Sequence, residues 1–178
     1  PRWWWALGAA GAAGLVVLLS FVLPVLADRL RPGPPLLVGH SAGGHLALYA
    51  AATAPGTVAG VLALAPVADL AEAYRLDLDG GAVAALLGGG PAEHPQRYAA
   101  ADPRQLVPAP TRTVILHGLL DRQVPVGVSR SYAAAARAAG GPVTLVELPE
   151  CEHFGLIDPE SAAWPEVARG LRTLHFDH

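Results

Sequence analysis

Four short apolar runs recur along the chain with little polar alternation: Leu36 to Val38, Val58 to Ala65, Thr113 to His117 and Val143 to Leu148. Runs of this length that are apolar on both faces read as strands of a sheet covered on both sides. Helical stretches separate them. Gly43 to Ala52 is alanine-rich and ends at Pro55-Gly56, and Asp69 to Leu87 is helical in parts until Gly88-Gly89-Gly90-Pro91 breaks it. Ala92 to Pro110 reads as irregular, with short helical turns. Val128 to Ala139 lies between Pro125 and Gly140-Gly141, and Ser161 to Leu174 carries Pro165 in its first turn, where proline is tolerated. Strands alternating with helices predict an α/β fold, a parallel sheet with flanking helices. In such sheets the ligand site lies beyond the carboxyl ends of the strands.

The front of the chain has a different pattern. Trp3 to Ala27 is a stretch of 25 residues without a charge, bounded by Arg2 and by Asp28, Arg29 and Arg31. About 20 apolar residues span a bilayer as a helix, and Trp3, Trp4 and Trp5 suit an interface. An apolar N-terminal helix is therefore expected, with three readings open: a membrane anchor, a helix covered by core or partner, or a truncated front end with no structural task. Pro32, Pro34 and Pro35 make a hinge that no helix continues through. The expected division is 1–35 as apolar segment and hinge, and 36–178 as the folded portion. The first reading implies membrane association through residues 3–27, the others a cytoplasmic chain.

Composition narrows the function classes. With 178 residues the chain can bury a core. Formal net charge is -3, which does not suggest nucleic acid as a partner. Cys151 is the only cysteine, so no internal disulfide forms. No H-E-x-x-H or comparable ligand spacing occurs, so neither a metal nor a cofactor is expected.

Every candidate for chemistry follows the end of a predicted strand. The first strand runs through Gly39-His40-Ser41-Ala42-Gly43 into a helix. The Gly-x-Ser-x-Gly spacing at a strand-to-helix turn is a nucleophile elbow: small residues two before and two after let strand and helix approach, and the strained turn lifts the hydroxyl clear of the sheet. Ser41 is the candidate nucleophile. His153, in the loop after the fourth strand, is the candidate base, and Asp121, after the third strand, the candidate acid that orients it. The order Ser, Asp, His is the one this constellation takes on an α/β-hydrolase sheet. Asp69 is a rival acid after the second strand, with helix capping as its other reading. The backbone N–H of Ala42 is the candidate oxyanion-hole donor.

Other polar residues carry less. His40 beside the nucleophile reads as packing or pocket lining, since adjacent side chains at a sharp turn diverge. His117 reads as a local hydrogen-bonding group, Cys151 as partly buried packing, and Phe154 and Leu156 as pocket or core contacts. His45 lies on the helix after the turn, and His94, His175 and His178 fall in no recognisable motif.

The motifs Gly39-His40-Ser41-Ala42-Gly43-Gly44-His45, Leu64-Ala65-Pro66-Val67-Ala68-Asp69-Leu70, His117 to Pro125 and Glu152-His153-Phe154 together resemble the α/β-hydrolase superfamily. The resemblance is to serine esterases and lipases near the kynurenine formamidase-like and prolyl-oligopeptidase-like branches. It implies Ser41, Asp121 and His153 as nucleophile, acid and base, and a cap-like segment over residues 70–110. It also implies further strands and an oxyanion loop upstream of the elbow. Here Trp3 to Ala27 occupies that place, so the chain reads as the C-terminal portion of the fold. The expected activity is hydrolysis of small carboxylic esters or amides through an acyl-enzyme. The alternative is an inactive fragment or a membrane-tethered or partner-dependent scaffold.

Overall fold

Each of the four apolar runs forms a strand. In the computed structural model, which describes residues 33–176, these are β1 (Leu36–His40), β2 (Gly60–Leu64), β3 (Thr113–Gly118) and β4 (Val143–Leu148). They form one sheet in the order β1-β2-β3-β4, with every neighbouring pair parallel. Leu36 lies opposite Gly60, Val61 opposite Thr113 and Thr113 opposite Val143. This register brings all the carboxyl ends to one rim.

Between the strands lie α1 (Ala42–Thr53), α2 (Leu70–Arg75), α3 (Ala82–Leu87), α4 (Pro95–Ala101) and α5 (Val126–Ala138); α6 (Trp164–Phe176) follows β4. Strand side chains alternate across the sheet. Val61, Ala63 and Ile115 therefore pack with Ala47, Leu48 and Ala51 of α1 and Tyr132 and Ala136 of α5. Leu62, Leu64, Val114 and Leu116 turn the other way, onto Val167 and Leu174 of α6. The sheet is covered on both faces, as its apolar strands require.

The segment expected to act as a cap has a small core of its own: Leu70, Ala73, Val83, Leu87 and Tyr98. Ala92 to Pro110, expected to be irregular with short helical turns, contains α4, which starts at Pro95, and a short 3-10 turn, Pro103–Gln105. Proline at a first helical position needs no amide partner.

The expected apolar N-terminal helix, with the membrane association over residues 3–27, falls outside the described residues. Among the described residues no helix is long and apolar enough to cross a membrane.

Candidate active site

The turn after β1 has the strain that the Gly-x-Ser-x-Gly spacing predicts. Ser41 has φ 57° and ψ -120°, a backbone region that non-glycine residues rarely enter. Two bonds to neighbouring segments hold it there: Ser41 N–H donates to Leu64 O of β2 at 2.9 Å, and Val67 N–H donates to Ser41 O at 3.2 Å. The glycines divide the work differently from the sequence expectation. A Cβ on Gly39 would overlap the carbonyl of Gly43, so this position must be bare. At Gly43 a Cβ would meet nothing within 4 Å; the second tight approach is instead at Gly44, where a Cβ would come within 2.8 Å of Pro66 Cβ.

Asp121 and His153 meet at the same rim. His153 Nδ1–H donates to Asp121 Oδ2 at 2.6 Å, with Asp121 only 8% and His153 only 3% exposed. That bond puts the proton on Nδ1 and leaves Nε2 free to accept one. The other carboxylate oxygen, Oδ1, accepts the amides of Gln123 at 2.9 Å and Val124 at 2.8 Å.

His117 completes the acid's surroundings. Its Nε2 faces two acceptors, Val124 O at 2.8 Å and Asp121 Oδ2 at 3.4 Å, and so carries the proton. Its Nδ1 accepts the Ser129 hydroxyl at 2.7 Å. Burial alone would push the Asp121 carboxyl up. The hydrogen bonds from His117, His153 and the Val124 amide outweigh it and hold the group at about 2, ionised at neutral pH.

The loops bearing acid and base are stitched together by their backbones. Leu119 N–H donates to Leu148 O at 2.9 Å and Leu120 N–H to Cys151 O at 3.0 Å. Gly118 permits this approach, since a Cβ there would overlap Cys151 O.

His40 does more than pack. Its Nε2–H donates to the carbonyl of His153 at 3.0 Å, and the two imidazoles lie 4.3 Å apart. The residue preceding Ser41 thus touches the residue expected to deprotonate it. Sequence could not reveal this, because the partner is a backbone carbonyl 113 positions away. No hydrogen bond from His153 to Ser41 Oγ is closed among the described residues. Such bonds are commonly open without substrate and tighten when it binds.

The remaining candidates fall away from this cluster. Asp69 caps α2, accepting Glu72 N–H at 2.9 Å through Oδ1, while Oδ2 accepts the Ser131 hydroxyl at 2.6 Å. Arg104 Nε lies 3.3 Å from the same Oδ2. These partners make Asp69 a structural acid. His45 donates to Ala101 O at 2.9 Å and His94 to Gly88 O at 2.9 Å. Cys151 is buried, and burial pushes its thiol up, away from the thiolate a nucleophile needs. Leu156 is core, whereas Phe154 stands on the surface with its ring edge-on to His153. No cluster of metal-ligating side chains occurs among the described residues.

Ala42, the first residue of α1, exposes its N–H where helix amides lack intrahelical partners and the dipole favours negative charge. Beside it is a pocket of about 120 Å³ lined by Val67, Leu70, Leu78, Val83 and Leu86, with His45 and Asp79 at its edge.

Comparison with known proteins bears on this arrangement. The sequence profile described as "Prolyl oligopeptidase family" matches residues 35–171. Among curated proteins none matches the chain. Among solved structures, the chain resembles Porphyromonas gingivalis dipeptidyl peptidase 4 with a TM-score of 0.65 at 20% identity, over 79% of this chain and 19% of that one. It resembles an acylaminoacyl peptidase of Pyrococcus horikoshii with a TM-score of 0.68 at 16% identity, over 85% and 26%. A third is an acetyl ester-xyloside bifunctional hydrolase from Caldicellulosiruptor lactoaceticus, with a TM-score of 0.60 at 25% identity, over 76% and 54%. The chain therefore spans between a fifth and about half the length of these structures.

Proposed function

The chain belongs to the prolyl oligopeptidase family, and from that premise we propose that it is a serine hydrolase acting on carboxylic esters, and on small amides, through an acyl-enzyme. The observation that carries the reading is the buried Asp121–His153 pair, held at 2.6 Å on the same rim as the strained Ser41 turn.

In this mechanism Ser41 Oγ attacks the carbonyl carbon while His153 Nε2 takes its proton. Asp121 stays ionised and stabilises the imidazolium that forms. The Ala42 N–H at the head of α1 receives the developing oxyanion. Collapse of the tetrahedral intermediate breaks the ester or amide bond, and His153 gives its proton to the departing alcohol or amine. Water then repeats the sequence on the acyl-enzyme and frees the acid. The pocket beside Ala42 suits a short apolar group on the acyl side. Its volume is about 120 Å³, a little below the cavity of roughly 150 Å³ that holds benzene.

The competing reading is a non-catalytic portion or a partner-dependent scaffold. Hydrolysis of p-nitrophenyl acetate by the full chain, beside Ser41→Ala, separates the two. Turnover abolished by the substitution supports the enzyme. A folded protein whose rate equals that of Ser41→Ala supports the scaffold.

A further inference from the structure

We propose that His40 is a positioning residue that locks the His153 loop onto the nucleophile turn through its hydrogen bond to the His153 carbonyl, an inference that rests on the serine hydrolase reading above. Three observations meet at this residue. His40 is covalently next to Ser41, so its backbone moves with the elbow. Its Nε2–H reaches His153 O at 3.0 Å, and its ring lies 4.3 Å from the His153 ring at 49°. Phe154 closes the cluster, with its ring 6.0 Å from His40 and 5.1 Å from His153.

The base is thereby held from two directions. Asp121 fixes its ring through Nδ1, and His40 fixes its backbone through the carbonyl. Without the second bond, the loop from Pro149 to Phe154 keeps its ties at Cys151 but loses the one that spans from the β4 side to the β1 corner. Reacting groups displaced by about 1 Å lose on the order of a hundredfold in rate, so a single tie at this point matters to turnover.

The same contact makes the site sensitive to the charge on His40. Burial lowers its pKa, its bond to the His153 carbonyl raises it, and His153, when charged, lowers it further. The titratable groups facing it are His153, Asp121 and Glu152. At neutral pH His40 is therefore uncharged and does not oppose the imidazolium that forms on His153 during the reaction. At lower pH a cation 4.3 Å from the base weakens its ability to take a proton.

Two substitutions separate positioning from packing. His40→Gln keeps an N–H donor of similar reach but cannot titrate, and His40→Phe keeps a ring but cannot donate. With p-nitrophenyl acetate, His40→Phe is expected to lower kcat roughly 10- to 100-fold with KM within about twofold, and His40→Gln to restore most of the rate. The wild-type acid limb should carry an ionisation that His40→Gln lacks. In parallel, the low-field Nδ1 proton of His153, followed by NMR in the full chain, should broaden or vanish in His40→Phe and persist in His40→Gln; this reads loop order without turnover. Equal kcat in wild type and His40→Phe, or a Gln variant as impaired as the Phe variant, overturns the proposal while leaving the hydrolase reading intact. A wild type with no Ser41-dependent reaction overturns the hydrolase reading and with it this role in catalysis.

Discussion

At the end of β3, Asp121 is held by two backbone amides and His153, with His117 close by, and its loop is sewn to the β4 loop by further backbone bonds. At the end of β1, Ser41 sits in a strained turn, its hydroxyl free of protein partners among the described residues. Asp121 and His153 are buried, whereas Ser41 is only half-buried. The contrast fits the proposed tasks: an orienting carboxylate must not move, while a nucleophile must be reachable. It also extends to the strands beneath. β3 is buried along its whole length, whereas β1 leaves Val38 51% exposed and carries no charge. β4, the last strand of the described sheet, carries Glu147 paired with Arg130 at 2.6 Å, the kind of charged device that protects an edge.

The largest effect that would break this comparison comes from Asp121→Asn. The amide keeps an oxygen for the Gln123 and Val124 amides, so the fold should survive. It no longer demands a proton on Nδ1 of His153, and kcat should fall by about 10⁴-fold. A small loss of activity, measured with unchanged thermal stability, would mean that the buried pair is structural only.

The two sides can next be compared through glycine. Gly39→Ala pushes a Cβ into the Gly43 carbonyl, and overpacking of this kind costs about 1–3 kcal/mol. Gly43→Ala meets open space within a helix and should stabilise by roughly 0.5–1 kcal/mol. Urea melts of the two variants should therefore move in opposite directions. A shared direction would deny that Gly39, and not Gly43, is a close-approach glycine of the elbow.

The effect of pH sharpens the acid's side. The folded pKa of Asp121, about 2, is depressed from an unfolded value of 3.8. Its contribution is therefore present above pH 4 and is lost as pH falls through the folded value, about 2 kcal/mol in all. Urea stability should fall between pH 4 and pH 2 more steeply in wild type than in Asp121→Asn. Parallel slopes would show that the carboxylate is not held in the way the hydrogen bonds imply.

Much of this is legible in the sequence. The four strands agree with the apolar runs to within about two residues, because a strand buried on both faces has a composition that tolerates nothing else. The capping of α2 by Asp69 followed from its position before Leu70, and the Ser41, Asp121 and His153 loops followed from strand ends. What stayed hidden was long-range. The choice of Gly44 over Gly43 depends on where Pro66 arrives, and His40 depends on a carbonyl in a loop distant in sequence. The saturation of Asp121 by His117 and backbone amides is likewise a property of the folded turn, in which a buried carboxylate must find donors.

The central claim is that Ser41 is a nucleophile activated by the Asp121–His153 pair. The most direct measurement is stoichiometric labelling of the full chain by a fluorophosphonate, read by intact mass and located by peptide mapping. The account predicts one adduct per chain on Ser41, none on Ser41→Ala, and much slower labelling of Asp121→Asn. A folded wild-type chain that takes up no label, or takes it up equally after Ser41→Ala, would contradict it.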